Sequence, residues 1–127
     1  MNIFGILMPK ATITYLNAHD TLDTAVEFMM ASGYTAVPVI DDAGKYVGMV
    51  SEGDFLRIVM AHGREHLADR TVGEIMHKDE EDYVLNTVGR EEIMKRILDR
   101  NFLSVIDDRN CFIGIITRKS ILQYLNN

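Results

Sequence analysis

Ser51 and Asp54 close the phrase Gly48-Met49-Val50-Ser51-Glu52-Gly53-Asp54, and their types and spacing suit recognition of a nucleotide. The apolar residues before Ser51 read as the end of a buried strand. Phe55-Leu56 read as the start of a helix with Ser51 at its N-cap. Such a junction leaves backbone N–H groups open, and with the helix dipole these favour an anion such as phosphate. Asp54, three residues on, shares the side of the first turn on which a carboxylate can accept hydrogen bonds from a ribose diol. Taken alone, the stretch reads first as an ordinary capped helix with an acid in its favoured first turn, and it is repetition that favours a nucleotide.

The chain repeats the pattern 66 residues later, in Gly114-Ile115-Ile116-Thr117-Arg118-Lys119-Ser120. Gly48 aligns with Gly114, Ser51 with Thr117 and Leu56 with Leu122. At the same offset Val39-Ile40-Asp41-Asp42 is identical to Val105-Ile106-Asp107-Asp108. Ile6-Leu7-Met8 corresponds to Glu74-Ile75-Met76 at an offset of 68. Two copies of this size are too few for a solenoid. They imply two half-domains, residues 1–66 with a linker and 67–127, packed about a pseudo-twofold axis into one compact unit.

Composition narrows the function. The 127 residues are 47% hydrophobic, as in a soluble globular protein with a real core. No apolar run is long enough to span a membrane, and Met1-Asn2-Ile3-Phe4 has no signal-peptide pattern. The single cysteine, Cys111, excludes an internal disulfide and fits the cytoplasm. A net charge of −6 argues against non-specific nucleic-acid binding. Residues 1–66 carry four Lys/Arg against eight acids and 67–127 nine against eleven, so bases concentrate in the second copy.

The elements that position the two junctions read as follows. Ile6-Leu7-Met8 is a short apolar turn stopped by Pro9, and Thr12–Leu16 a short strand. Asp20 or Thr21 caps a helix with Leu22, Ala25, Val26, Met29 and Met30 on one face, ended by Gly33. Ala36–Ile40 and Tyr46–Val50 form a hairpin, and Pro38 leaves one side of its strand without a backbone partner. Gly53–Met60 is the closing helix, with Phe55, Leu56 and Val59 inward. In the second copy Thr71 caps a short turn and Lys78–Asp82 is a solvated charge run. Thr87 caps a helix with Ile93, Met94, Ile97 and Leu98 inward, a hairpin spans 102–116, and Arg118–Leu125 closes the chain. His62 and His66 have a spacing that metal sites use, but no third ligand is evident beyond Asp69 and a solvated loop is the default. His19, His62, His66 and His77 show no partnered arrangement at the motif, so catalytic equipment is missing and an enzyme is not expected.

The order strand–helix–strand–strand–helix, Gly33-Tyr34-Thr35-Ala36-Val37-Pro38-Val39-Ile40-Asp41 and the Gly-x-x-Ser-x-x-Asp phrase together resemble a CBS domain. Two in tandem resemble a CBS pair, or Bateman module, over nearly the whole chain. The resemblance implies an α+β fold of two β-α-β-β-α repeats, with a cleft between them that binds adenosine-containing ligands. It gives the ribose to Asp54, phosphate to Ser51 and adenine to the backbone of Tyr34, Thr35, Ala36, Val37 and Pro38. In the second copy Thr117 keeps the hydroxyl, Ser120 replaces the acid, and Arg118 and Lys119 make this end positive.

That second junction is similar to stand-alone bacterial CBS proteins that bind cyclic di-AMP, in which the Thr-Ala backbone and the Arg after the second Thr serve the ligand. Lys10 lies where that group also has a lysine. AMP, ADP and ATP remain competing ligands. The expected function is a non-catalytic cytoplasmic sensor with no cofactor, in which an adenine nucleotide acts as regulatory ligand. It would form a homodimer and signal to a regulated protein, with no nucleic-acid or membrane partner. The alternative is a structural dimerisation scaffold without a physiological nucleotide.

Overall fold

A computed structural model describes residues 2–126. In chain order the elements are α1 (Ile3–Ile6), β1 (Leu7–Pro9), β2 (Leu16–Asn17), α2 (Leu22–Ser32), β3 (Ala36–Ile40), β4 (Tyr46–Ser51) and α3 (Glu52–His62). They continue with α4 (Val72–Ile75), β5 (Tyr83–Leu85), α5 (Arg90–Ile97), β6 (Phe102–Ile106), β7 (Phe112–Thr117) and α6 (Arg118–Leu125). Short 3-10 turns lie at Lys10–Thr12, Arg64–His66 and Glu80–Asp82. The fold is mixed α+β with a strand–helix–strand–strand–helix order in each repeat. Among the described residues no helix is long and apolar enough to cross a membrane.

The chain forms two compact units, Thr14–Lys78 and Met1–Ile13 with Asp79–Asn127. The units thus interleave the sequence repeats rather than following them end to end. In the Thr14–Lys78 unit, β3 is flanked by parallel β2 and antiparallel β4. Strand β2 pairs only with Val39 and Ile40, so Pro38, which has no N–H to offer, lies outside that ladder. His77 adds one further rung beside β4, exchanging two backbone hydrogen bonds of 2.8 and 3.0 Å with Met49. In the other unit the sheet order is β1-β7-β6-β5, with β1 antiparallel to β7.

Each sheet buries an aliphatic face under its helices. In the first unit Leu16, Leu22, Ala25, Met29, Val37, Val39, Val50, Phe55 and Val72 pack together. In the second, Ile3, Ile6, Val84, Ile93, Ile97, Leu103, Val105, Ile116 and Ile121 do the same. Burying each such side chain contributes roughly 1.5–3 kcal/mol, enough to hold helices of eight to eleven residues that are marginal alone.

Several sequence expectations change. The turn expected over Ile6-Leu7-Met8 is instead the end of α1 running into strand β1, Leu7–Pro9, because that segment has β7 to pair with. The strand expected over Thr12–Leu16 is reduced to Leu16–Asn17. Helix α5 starts after Gly89, not at Thr87. Leu56 and Leu98, expected inward, are 61% and 73% exposed, because the apolar stripe is wider than the face each unit covers. The charge run is partly structural: Asp82 accepts from Arg100 Nε at 2.9 Å, and that bond pushes the guanidinium pKa up. Gly33 does end α2, at φ +76 in the left-handed region.

Candidate functional site

Ser51 ends β4 and caps α3, and Thr117 ends β7 and caps α6. Both junctions are capping boxes. At the first, Asp54 N–H donates to Ser51 Oγ at 3.4 Å while Ser51 N–H donates to Asp54 Oδ2 at 2.8 Å. At the second, Ser120 N–H donates to Thr117 Oγ1 at 2.9 Å and Thr117 N–H to Ser120 Oγ at 3.0 Å. Ser120 is therefore a working substitute for Asp54 in the cap, though it supplies no carboxylate. Its hydroxyl donates to the Thr117 carbonyl at 2.9 Å.

The backbone approach that makes these junctions possible explains the two glycines before them. A Cβ on Gly48 would lie 2.6 Å from the His77 carbonyl oxygen, and one on Gly114 would collide with the Met8 carbonyl oxygen. These are backbone atoms held in rungs, so they cannot yield. The pairings set Met8 equivalent to His77, one residue beyond the Met76 that the 68-residue offset matched, and the side chains of both reach their caps. His77 Nδ1 is 3.3 Å from Asp54 Oδ2, and Thr117 Oγ1 donates to Met8 Sδ at 3.8 Å.

Helix-start N–H groups are less available than the sequence suggests. Glu52 N–H donates to the Thr35 carbonyl at 2.9 Å, and Arg118 N–H to the Asn101 carbonyl at 3.3 Å. With the third position of each helix taken by its cap, the second remains, at Gly53 and Lys119. These two N–H groups have no acceptor among the described residues.

Asp54 is only 8% exposed and is surrounded by donors. Ser51 Oγ donates to its Oδ2 at 3.0 Å, and Arg57 Nη2 to its Oδ1 at 2.5 Å. The expectation that no histidine is partnered at the motif is corrected by His77, which the fold carries to Asp54 from 23 positions along the chain. No local spacing announces that contact. Arg57 was legible, since a residue three beyond Asp54 on a helix faces it.

The remaining expected residues divide between the units. Tyr34 and Thr35 are exposed at the entry to β3, Ala36 is half-buried, and Val37 and Pro38 are buried, so this group gathers beside Ser51 and Asp54 through the pairs Ala36–Ser51 and Val37–Val50. Thr117, Arg118, Lys119 and Ser120 gather at the end of β7. Lys10 follows Pro9, which pairs with Gly114, so its backbone lies beyond a point about 10 Å along the strand from Thr117. Arg118 is not a free surface charge and does not use Asp108. Its Nε donates to the Ile97 carbonyl at 2.9 Å and its Nη2 to the Leu98 carbonyl at 2.6 Å. Lys119 is exposed.

His19 pairs with Asp42 at 2.9 Å, and the rings of His62 and His66 meet edge-on at 6.1 Å. Among the described residues no three His, Cys, Asp or Glu side chains are placed to hold a metal ion. Each junction offers a capping hydroxyl and one open N–H, a combination that suits an anion, and only the first adds a carboxylate, Asp54, that can accept from a polyol.

The CBS domain profile matches residues 7–61 and again 72–127. The chain belongs to the CBS-domain family. It is 28% identical over 120 residues to cyclic di-AMP receptor B of Bacillus subtilis, covering 90% of this chain and 79% of the receptor. The crystal structure of CbpB in complex with c-di-AMP superposes with a TM-score of 0.91 at 29% identity, over 99% of this chain and 85% of that one. Subunit gamma-3 of human 5'-AMP-activated protein kinase is 21% identical over 155 residues, which take in 98% of this chain but 30% of the subunit. The two CBS repeats of this chain therefore carry the Ser51–Asp54 and Thr117–Ser120 junctions at the same place in each repeat.

Proposed function

We propose that the protein is a non-catalytic regulatory module that binds an adenine nucleotide at its strand-to-helix junctions, with cyclic di-AMP the leading ligand. The observation that carries this reading is the duplicated junction: a capping hydroxyl, Ser51 or Thr117, beside an open N–H, Gly53 or Lys119, at the start of a helix. Phosphate suits that combination. Asp54 is the ribose acceptor at the first junction. At the second, Arg118 retains further N–H groups beyond the two spent on carbonyls, since a guanidinium has five. Lys119 adds charge there. Tyr34 to Pro38 frame adenine at the first junction, and Lys10 contributes charge at the second. Similarity to a cyclic di-AMP receptor supports the choice of ligand; AMP, ADP and ATP are the competitors.

The module works in the cytoplasm and passes the signal to a regulated protein as a homodimer. Exposed apolar side chains on the helices or at their ends support self-association: Met30, Leu56 and Met60 in one unit, Leu98, Leu122 and Leu125 in the other. The same surface favours the second reading, a dimerisation scaffold with no physiological nucleotide.

Isothermal titration with cyclic di-AMP, AMP, ADP and ATP separates the two, combined with light scattering in the presence and absence of ligand. Binding of one adenine nucleotide, tightest for cyclic di-AMP, is expected. A dimer that binds none of them supports the scaffold.

A further inference from the structure

We propose that Arg57 is a phosphate-recognition residue of the first junction, and that its guanidinium decides whether this junction prefers a nucleotide to a nucleoside. The inference rests on the reading of the Ser51–Asp54 junction as a nucleotide site. Arg57 lies on the face of α3 that carries Gly53 and Asp54, one helical turn before it. Its Nη2 donates to Asp54 Oδ1 at 2.5 Å. Its Nη1 lies over Gly53, 3.3 Å from where a Cβ on that residue would stand, and Ser51 Oγ is 3.7 Å from the same point. The missing side chain is the space that lets the guanidinium fold back to the start of its own helix.

Donors without an acceptor collect there. The Gly53 N–H has none among the described residues, and neither has Arg57 Nη1. A guanidinium offers five N–H groups and Asp54 takes one. The Arg57 side chain is 71% exposed, so the others are within reach of a ligand. Asp54 in turn receives three hydrogen bonds, two from Ser51 on Oδ2 and one from Arg57 on Oδ1. Of the roughly four acceptor sites of a carboxylate, one is left, on the oxygen that Arg57 touches. A ribose hydroxyl taken there brings the rest of its nucleotide against the guanidinium.

Charge makes the residue necessary. Without Arg57 the first turn of α3 presents two acids, Glu52 and Asp54, which repel a phosphate that the helix dipole attracts. The second junction meets the same need from another position. At the 66-residue offset Lys119 stands in the place of Gly53, and Gln123 in the place of Arg57. Each junction thus sets a cation at the residue with the open N–H: Lys119 is one, and Gly53 makes room for that of Arg57.

AMP and adenosine are the probes, because they share base and ribose and differ in the phosphate. Titration calorimetry gives both affinities, and the Gly53 and Lys119 signals in amide NMR spectra tell which junction each probe enters. In the parent, AMP should bind more tightly than adenosine, shift the Gly53 signal and weaken with added salt. Arg57→Ala and Arg57→Gln should each weaken AMP at this junction about ten- to hundredfold, change adenosine by no more than about fivefold and flatten the salt dependence. Unfolding curves establish that the fold is retained; two variants are used so that loss of fold in one leaves the other decisive. If both probes weaken alike, Arg57 only holds Asp54 in place and the inference is overturned. Variants that bind AMP as the parent does overturn it too. If adenosine moves the Gly53 signal and AMP moves that of Lys119 alone, the role of Arg57 falls while the ribose reading stands. If neither probe moves the Gly53 signal, the reading of the first junction as a nucleotide site falls, and Arg57 with it.

Discussion

Arg118 Nη2 donates to the carbonyl oxygen of Leu98 at 2.6 Å, tying the first residue of α6 to the end of α5. With Nε on the Ile97 carbonyl at 2.9 Å, which also accepts from Arg100 N–H at 3.4 Å, the guanidinium binds two carbonyls at the end of α5 and places a cation at the negative end of its dipole. On the sequence alone Arg118 opposes the dipole of its own helix and has no structural reason to be there. In the fold it has one.

Arg118→Ala should therefore lower stability by about 0.5–1.5 kcal/mol, the net worth of a hydrogen bond or two, and Arg118→Lys should restore only part of it. Urea unfolding measures this. A variant as stable as the parent would show that the carbonyl contacts contribute nothing in solution. If Arg118 also meets phosphate, Arg118→Ala should weaken cyclic di-AMP by about ten- to hundredfold.

Asp54 carries both a fold and a ligand, so its two substitutions should differ. Asp54→Ala leaves the Ser51 N–H and the Arg57 guanidinium without their buried acceptor and should cost about 1–3 kcal/mol. Asp54→Asn keeps an oxygen for the Ser51 N–H and should unfold closer to the parent. Both should weaken an adenosine ligand about tenfold or more, read by titration calorimetry. Equal midpoints for Asp54→Ala and the parent would remove the acid from the cap.

At the second junction Ser120→Asp reproduces the first. The cap should survive, because a carboxylate can take the Thr117 N–H that Ser120 Oγ now accepts, and an acid in the first turn suits the dipole. Thermal unfolding should shift little or upward. AMP should bind this variant more tightly than the parent if a missing acid is what limits the site; unchanged affinity would show that Arg118 and Lys119 set its preference.

Gly48→Ala and Gly114→Ala should each destabilise by about 1–3 kcal/mol, since the new methyl meets a carbonyl oxygen fixed in a backbone rung and one strand must move. Differential scanning calorimetry checks it. Wild-type transitions in both would mean that His77 and Met8 do not lie against β4 and β7 in solution.

What the sequence determined by itself is whatever depends on neighbours three or four residues apart. The hydroxyl at Ser51 or Thr117 and the side chain three residues on meet across one helical turn, so both capping boxes follow from spacing. Gly33 follows from the need for a left-handed residue at the end of α2. Repetition of those phrases 66 residues apart fixed the two-repeat plan, because the same local rules act twice. Tertiary structure decided everything that joins distant segments. It laid Leu7–Pro9 beside β7 and His77 beside β4, put an imidazole on Asp54, and carried Arg118 to the end of α5. It also left Leu56 and Leu98 in solvent, though periodicity set them with the core. The reason is the range of the forces: a cap is closed by one turn of backbone, whereas a strand rung or a carbonyl clamp forms only where packing of the whole unit brings its partner within about 3 Å.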